Sequence, residues 1–287
     1  MNLTSVKTVK QILSEYQVRP SRGLGQNFLI DSRAIRRLIS AAHVGQEDTV
    51  LEIGPGIGTL TQGLAQSAKR VIAVEKDAKM VEILQETLKE FSNIEIVHAD
   101  ALTWKCLIYD IKHLKVVANL PYYITAPLIR KFLELDVKKP DPAPFLRERC
   151  GVGLRQMTLI VQKEVAQRIC AKPPKMSILA VAVQVYAAPK IISYIKKTSF
   201  LPKPMVDAAI LQITPFTQPY TQDFPRFFTV VKAGFKQPRK QLVNNLSKEL
   251  RLPREKVEQR LLANNIQPAQ RAETLSIQDW INLADML

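Results

Sequence analysis

Apolar and polar positions change their period several times along this chain, and each change marks an element. Leu3, Val6, Val9, Leu13 and Tyr16 recur at helical spacing, so the chain opens with a short amphipathic helix, read as an arm or a lid. A second helix carries Ile35, Leu38 and Ile39, with Asp31 or Ser32 as its N-cap. Short apolar runs then alternate with helical patterns: a run over 50–53, a helix from Thr59, a run over 71–74, a helix over 80–88, and runs over 94–97 and 116–118. This βαβα rhythm predicts a parallel, doubly wound α/β sheet, whose ligands lie at the carboxyl ends of the strands. Residues 157–165 read as a strand running into a helix, and 211–214 end the last strand. The stretch 215–225 is rich in Thr, Gln and Pro and reads as a boundary, beyond which the pattern is all helical. The expected division is therefore 1–216 and a small helical domain over 217–287.

Residues 50–61 read V-L-E-I-G-P-G-I-G-T-L-T, a strand, a tight turn with Gly54, Gly56 and Gly58, and a helix start. Glycine is wanted where the backbone takes positive φ and a ligand comes within van der Waals reach. Glu75 closes the next apolar run about 20 residues on, where a carboxylate can hold a ribose. Glu52 lies inside the strand just before the glycines. An anion there gains little beside a pyrophosphate but favours a cofactor with a cationic end, so S-adenosyl-L-methionine fits better than NAD.

Two further strand ends fall on the same predicted edge. Asp100 follows one in H-A-D-A, and Asn119 follows another in N-L-P-Y-Y-I-T over 119–125. The exocyclic amine of adenine is a poor nucleophile because its lone pair is delocalised, so an enzyme must hold it while charge develops on nitrogen. Asn119 and the carbonyl of Leu120 offer two acceptors for its hydrogens. Pro121 stiffens the turn that aims them, and Tyr122 offers a face on which an extruded base can stack.

Composition narrows the partner. The 287 residues, 46% of them hydrophobic, are enough to bury a full core, and no apolar run approaches the roughly 20 residues of a membrane helix. Lys and Arg total 41 against 26 Asp and Glu, a net charge of +15 that attracts a polyanion, and nucleic acid fits better than membrane. Arg19, Arg22, Arg33, Arg36 and Arg37 cluster near the predicted ligand edge. Cys106, Cys150 and Cys170 are isolated and odd in number, which points to a reducing cytoplasm, and neither they nor the three histidines have metal spacing, so no metal is expected.

With these motifs in hand the chain resembles the ribosomal RNA adenine dimethyltransferase family, from about residue 20 to the C-terminus. The G-Q-N-F-L of 25–29 is similar to the family's N-terminal cofactor motif and L-E-I-G-P-G of 51–56 to its glycine motif. The resemblance implies a class I, Rossmann-like methyltransferase sheet. It implies cofactor contacts at Asn27, Leu29, Gly54, Glu75, Asp100 and Asn119, and catalytic roles for Asn119, Leu120, Pro121 and Tyr122. S-F-L-P-K-P-M-V-D over 199–207 resembles the family's F-x-P-x-P-x-V loop, where Phe200 would form a second wall around the target base. F-K-Q-P-R-K-Q-L over 235–242 resembles the basic entry to the small domain, with Pro238 in place of a basic residue. Residues 137–155 look like an inserted loop. The activity implied is dimethylation, from S-adenosyl-L-methionine, of two adjacent adenines in a small-subunit ribosomal RNA hairpin loop, by a monomer acting on a pre-ribosomal particle. The alternatives are the large-subunit, antibiotic-resistance branch, a non-catalytic ribosome-assembly or transcription-accessory factor on the same fold, and a DNA adenine methyltransferase. Leu120 and the A-E-T-L-S of 272–276 favour the small-subunit branch.

Overall fold

A computed structural model describes residues 1–21, 25–104, 111, 113–137, 153–218, 220, 221 and 223–287. Arg22, Cys106, Cys150 and most of the 137–155 stretch lie outside the described residues. The chain divides into two compact units, Met1–Ala166 with Lys190–Thr217, and Gln167–Pro189 with Gln218–Leu287. The second thus takes in a segment that the sequence pattern groups with the sheet.

The first unit is built on a seven-stranded sheet. Its elements in order are α1 (Val6–Glu15), β1 (Phe28–Leu29), α2 (Ser32–Ala42), β2 (Thr49–Ile53), α3 (Thr59–Ala65), β3 (Arg70–Glu75), α4 (Ala78–Thr87), β4 (Ile94–His98), β5 (Leu114–Asn119), α5 (Thr125–Val137) and β6 (Leu154–Gln162). After α6 (Lys163–Ile169) and α7 (Ile178–Gln184) come β7 (Ala187–Ile195), β8 (Phe200–Leu201) and β9 (Ala208–Pro215). The strand order is β4-β3-β2-β5-β6-β9-β7, parallel from β4 through β6, with β9 antiparallel to β6. Every residue of β2 and all but the first of β3 are buried, the continuous burial that central parallel strands require because helices cover both faces. The chain winds outward in opposite directions from β2 and β5, so the crevice beyond their carboxyl ends is the topological switch point.

Two local packings aim the crevice. Helix α2 is capped by the Asp31 carboxylate, which accepts from the amides of Arg33 and Ala34. It buries Ala34, Ile35, Leu38, Ala41 and Ala42 in a core with Val50, Val117 and Ile160. Helix α1 is no free arm: Val9, Ile12 and Leu13 pack with Phe28, Ile57, Met80 and Ile83, beside the glycine turn.

The second unit is helical after residue 218, with α8 (Phe224–Gly234), α9 (Leu242–Leu250), α10 (Arg254–Ala263) and α11 (Ile277–Met286). Trp280 of α11 is fully buried, and Asn245 donates its side-chain amide to the carbonyls of Gly234 at 2.7 Å and Gln237 at 3.0 Å. A Cβ added at Gly234 would come within 2.4 Å of the Trp280 ring. That indole is fully buried, so the overlap outweighs the gain of about 1 kcal/mol that alanine brings to a helix. Gly234→Ala is expected to destabilise the protein by roughly 1–3 kcal/mol in urea unfolding, and the cost should vanish in a Trp280→Leu background. An equal cost in both backgrounds would contradict this packing.

Candidate active site

The cavity at the switch point is lined by 25–29 from the N-terminal loop and β1, 52–56 after β2, 74–77 after β3, 99–102 after β4, and 119–124 after β5, with Thr59 and Leu60 of α3. Its floor is the glycine turn. Gly54 and Gly56 take φ of +67° and +59°, and a Cβ at Gly56 would press on the Phe28 ring at 3.1 Å. A side chain at Gly56 would therefore be both strained and obstructed. Glu75, 8% exposed, ties the turn to β3. It accepts from the amides of Gly56 at 3.2 Å, Lys76 at 2.8 Å and Asp77 at 2.9 Å. Burial pushes its carboxyl above the ordinary range while those three amides pull it back.

Asp100 sits on the loop after β4. Its carboxylate accepts from the Leu102 amide at 2.9 Å and pairs with Lys76 at 2.8 Å. The Lys76 ammonium, with the Leu102 amide second, holds the Asp100 carboxyl below the usual range. Lys131 of α5 staples this loop from below, donating to the carbonyls of Ala101, Leu102 and Trp104. Neither lysine is visible in the motifs. Each is a single long cation whose target is set only by the fold.

The N-L-P-Y turn is held from three sides. The Leu120 amide donates to the Ile160 carbonyl of β6 at 3.2 Å, and Ile124 donates to the Pro121 carbonyl at 3.1 Å, closing a 3₁₀ turn over Tyr122–Ile124. The Asn119 side-chain amide donates through Nδ2 to the Asn27 carbonyl at 2.9 Å. A carbonyl only accepts, so this bond fixes which end of the Asn119 amide is nitrogen and leaves Oδ1 as an acceptor that no donor takes among the described residues. Asn27 in turn donates to the Gly25 carbonyl at 3.1 Å, while Gln26 accepts from the Ser21 amide and donates to Asp77. Among the described residues no donor takes the Leu120 carbonyl. The Tyr122 hydroxyl is buried without a hydrogen-bond partner among the described residues, and burial, then the Asp207 charge, raises its pKa. Tyr123, 54% exposed, stands at the rim.

The residues expected to hold a cofactor, Asn27, Leu29, Gly54, Glu75, Asp100 and Asn119, thus line one cavity together with Leu120, Pro121 and Tyr122. Phe200 does not join them. It is 3% exposed and packs in the core with Leu29, Ile160 and Ala208. Pairing of β8 with β1 sets Phe200 opposite Leu29, and its ring is buried in that core rather than among the residues that line the cavity. Glu52 needs a second correction. It lines the cavity but is 1% exposed, with Oε2 unpartnered among the described residues. Burial raises its pKa from 4.5 to about 8, against the pull of the Thr61 hydroxyl and with a smaller push from Glu75. Burial thus favours the protonated acid over the anion the sequence implies.

Fold and cavity together define a class I methyltransferase, a doubly wound sheet with its ligand crevice at the β2/β5 switch point. Residues 17–287 match the family described as ribosomal RNA adenine dimethylase, and the chain belongs to that family. It is 38% identical, over 97% of its length and 98% of the relative's, to ribosomal RNA small subunit methyltransferase A of Clostridium botulinum strain Okra. It is likewise 38% identical, over 99% and 96%, to the protein of that name from Bacillus licheniformis. Among solved structures, a 23S rRNA methyltransferase, ErmE, is 25% identical with a TM-score of 0.71, covering 91% of this chain and 99% of its own. A dimethyladenosine transferase from Plasmodium falciparum shares the fold, with a TM-score of 0.73 at 23% identity over 89% and 95%.

The Glu52 environment has a consequence for stability. Between pH 4.5 and about 8 the folded protein keeps a proton that the unfolded chain has released. This group's contribution is thus greatest below pH 4.5 and is lost as pH rises through about 8, at up to about 1.4 kcal/mol per pH unit. Glu52→Gln, which cannot titrate, should lose less stability than wild type in urea unfolding between pH 6 and pH 8. Parallel pH slopes for the two proteins would show that Glu52 ionises freely in the fold.

Proposed function

We propose that the protein transfers methyl groups from S-adenosyl-L-methionine to the exocyclic amines of two adjacent adenines in a small-subunit ribosomal RNA hairpin loop. Each adenine is dimethylated, as a step of ribosome biogenesis in the cytoplasm. The observation that carries this reading is the Asn119 amide, locked by the Asn27 carbonyl so that Oδ1 is the acceptor at the end of β5. The names of the relatives that are 38% identical over almost the whole chain support the small-subunit substrate over the large-subunit one, whose solved representative is 25% identical. The α/β unit is assigned the cofactor and the chemistry, and the helical unit contact with ribosomal RNA in a pre-ribosomal particle, the protein acting as a monomer.

The cavity suits the cofactor on grounds of its own. The positive-φ glycine turn gives close access to backbone, and a cationic end brought beside the orphaned Glu52 oxygen would favour release of its proton and supply the partner it lacks. Glu75 would hold ribose hydroxyls, Asp100 the adenine amine once Lys76 yields its carboxylate, and Asn27 and Leu29 the near wall. When bound, the cofactor supplies an electrophilic methyl on a sulfonium. Asn119 Oδ1 and the Leu120 carbonyl then accept the two hydrogens of the target amine, which localises the nitrogen lone pair toward the methyl. Positive charge growing on nitrogen strengthens both bonds, so they act on the transition state more than on binding. Pro121 fixes the turn, and the Tyr122 ring supplies the stacking face.

Asn119→Ala should lower methyl incorporation into small-subunit particles on the order of a hundredfold or more, in kcat, while cofactor affinity by calorimetry changes no more than a few-fold. Glu75→Ala should fail in the opposite way. A hydrogen bond to a charged group contributes about 1.5–3 kcal/mol, so cofactor affinity should fall about tenfold or more. Equal methylation rates for wild type and Asn119→Ala would remove the N-L-P-Y turn from the chemistry. A wild type inactive on every ribosomal substrate would favour the assembly-factor reading.

A further inference from the structure

A second concavity lies in the same α/β unit, between the outward face of α2 and strand β7, and holds Arg33, Arg36, Arg37, Lys190 and Ser193. The three arginines are three and four residues apart and share one stripe of the helix, opposite its buried Ile35 and Leu38. All three are exposed, as is Lys190, and none of the four is ion-paired among the described residues. The one carboxylate in the groove is Asp31, already spent on the amides of Arg33 and Ala34 and on the Ser199 hydroxyl at 2.9 Å. Like charges one helical turn apart destabilise a helix. Here the Asp31 charge reaches Arg37, and among the described residues no carboxylate forms an ion pair with any of the four cations. The Ser193 hydroxyl adds a separate sign, since it is buried and has no hydrogen-bond partner among the described residues. Four unpaired cations and an orphaned hydroxyl, supplied by two elements, call for an anion with several oxygens.

We propose that this groove binds consecutive backbone phosphates of the substrate RNA outside the target loop, which rests on the RNA-methylation reading above. Groove and cavity are neighbours along the chain: Leu29 lines the cavity and Asp31, two residues on, lines the groove. From Arg33 to Arg37 the helix rises about 6 Å, on the order of two nucleotides at the roughly 3 Å per nucleotide by which a strand rises. A stem that presents its loop to Asn119 can therefore run its backbone along α2. Arginine forks suit phosphate oxygens geometrically as well as by charge.

The test compares wild type with Arg33→Ala/Arg36→Ala/Arg37→Ala, with Lys190→Ala and with Ser193→Ala. Binding is measured against salt for a small-subunit rRNA hairpin with its full stem and for the same loop on a stem of a few base pairs. With the full stem the triple variant should lose at least tenfold in affinity and should flatten the log–log salt slope by about two to three, and Lys190→Ala by about 0.7–0.9. Ser193→Ala should weaken binding without changing the slope, because no charge is removed. On the short stem wild type and variants should converge, and the loss in methylation should appear in KM for the long RNA. Cofactor affinity measured in parallel should stay at the wild-type value, as a check on folding. Salt slopes equal to wild type in both the triple and the Lys190 variants, with the wild type methylating normally, would overturn the groove and leave the activity standing. A wild type that neither binds nor methylates ribosomal RNA would overturn both.

Discussion

The hydrogen bond from Asn119 Nδ2 to the Asn27 carbonyl is the constraint on which the site depends. Asn119 ends β5 and Asn27 precedes β1, 92 residues away in the chain, so one bond joins the N-terminal loop to the edge where chemistry is placed. It also decides the orientation of an amide whose two ends are nearly the same size. The loop is itself restrained, by Gln26 to Asp77 and by β1 to β8, so the carbonyl that receives the bond is fixed before any ligand arrives. Preorganisation of this kind costs nothing at the moment of reaction, which is why a neutral acceptor suffices.

The glycine turn shows the same economy. Glu75 carries the amide of Gly56 as well as those of its own neighbours, so the residue that would hold a ribose also sets the turn that would receive the rest of the cofactor. Glu52, one strand over, has an oxygen unpartnered among the described residues, and burial raises its pKa to about 8. A buried acid in that state has its interaction still to make, and a cation brought into the cavity would draw the proton off.

The strands, the Asp31 cap and the convergence of Glu75, Asp100 and Asn119 on one edge were legible because they rest on local periodicity and on a topological rule. What escaped depends on contacts distant in the chain. Phe200 sits in a proline-rich stretch that resembles a loop beside the target base, yet two residues of it pair with β1 and the ring is buried. The opening helix reads as an arm because its partners, Met80 and Ile83, lie more than 60 residues away. The apolar run at 178–183 forms α7 within the helical unit, and nothing in its composition distinguishes that from a place in the sheet. Lys76 and Lys131 carry no pattern at all. Their roles exist only once the loop after β4 is folded over them.

The fixed Asn119 amide is tested most directly by the exchange of its two side-chain protons with solvent, followed by NMR in the free protein and assigned by their loss in Asn119→Asp. One proton should exchange markedly more slowly than the other, because it is held by the Asn27 carbonyl. Two protons exchanging at the rate of a solvent-exposed asparagine would show that the amide turns freely, and the account of a preset acceptor would fail.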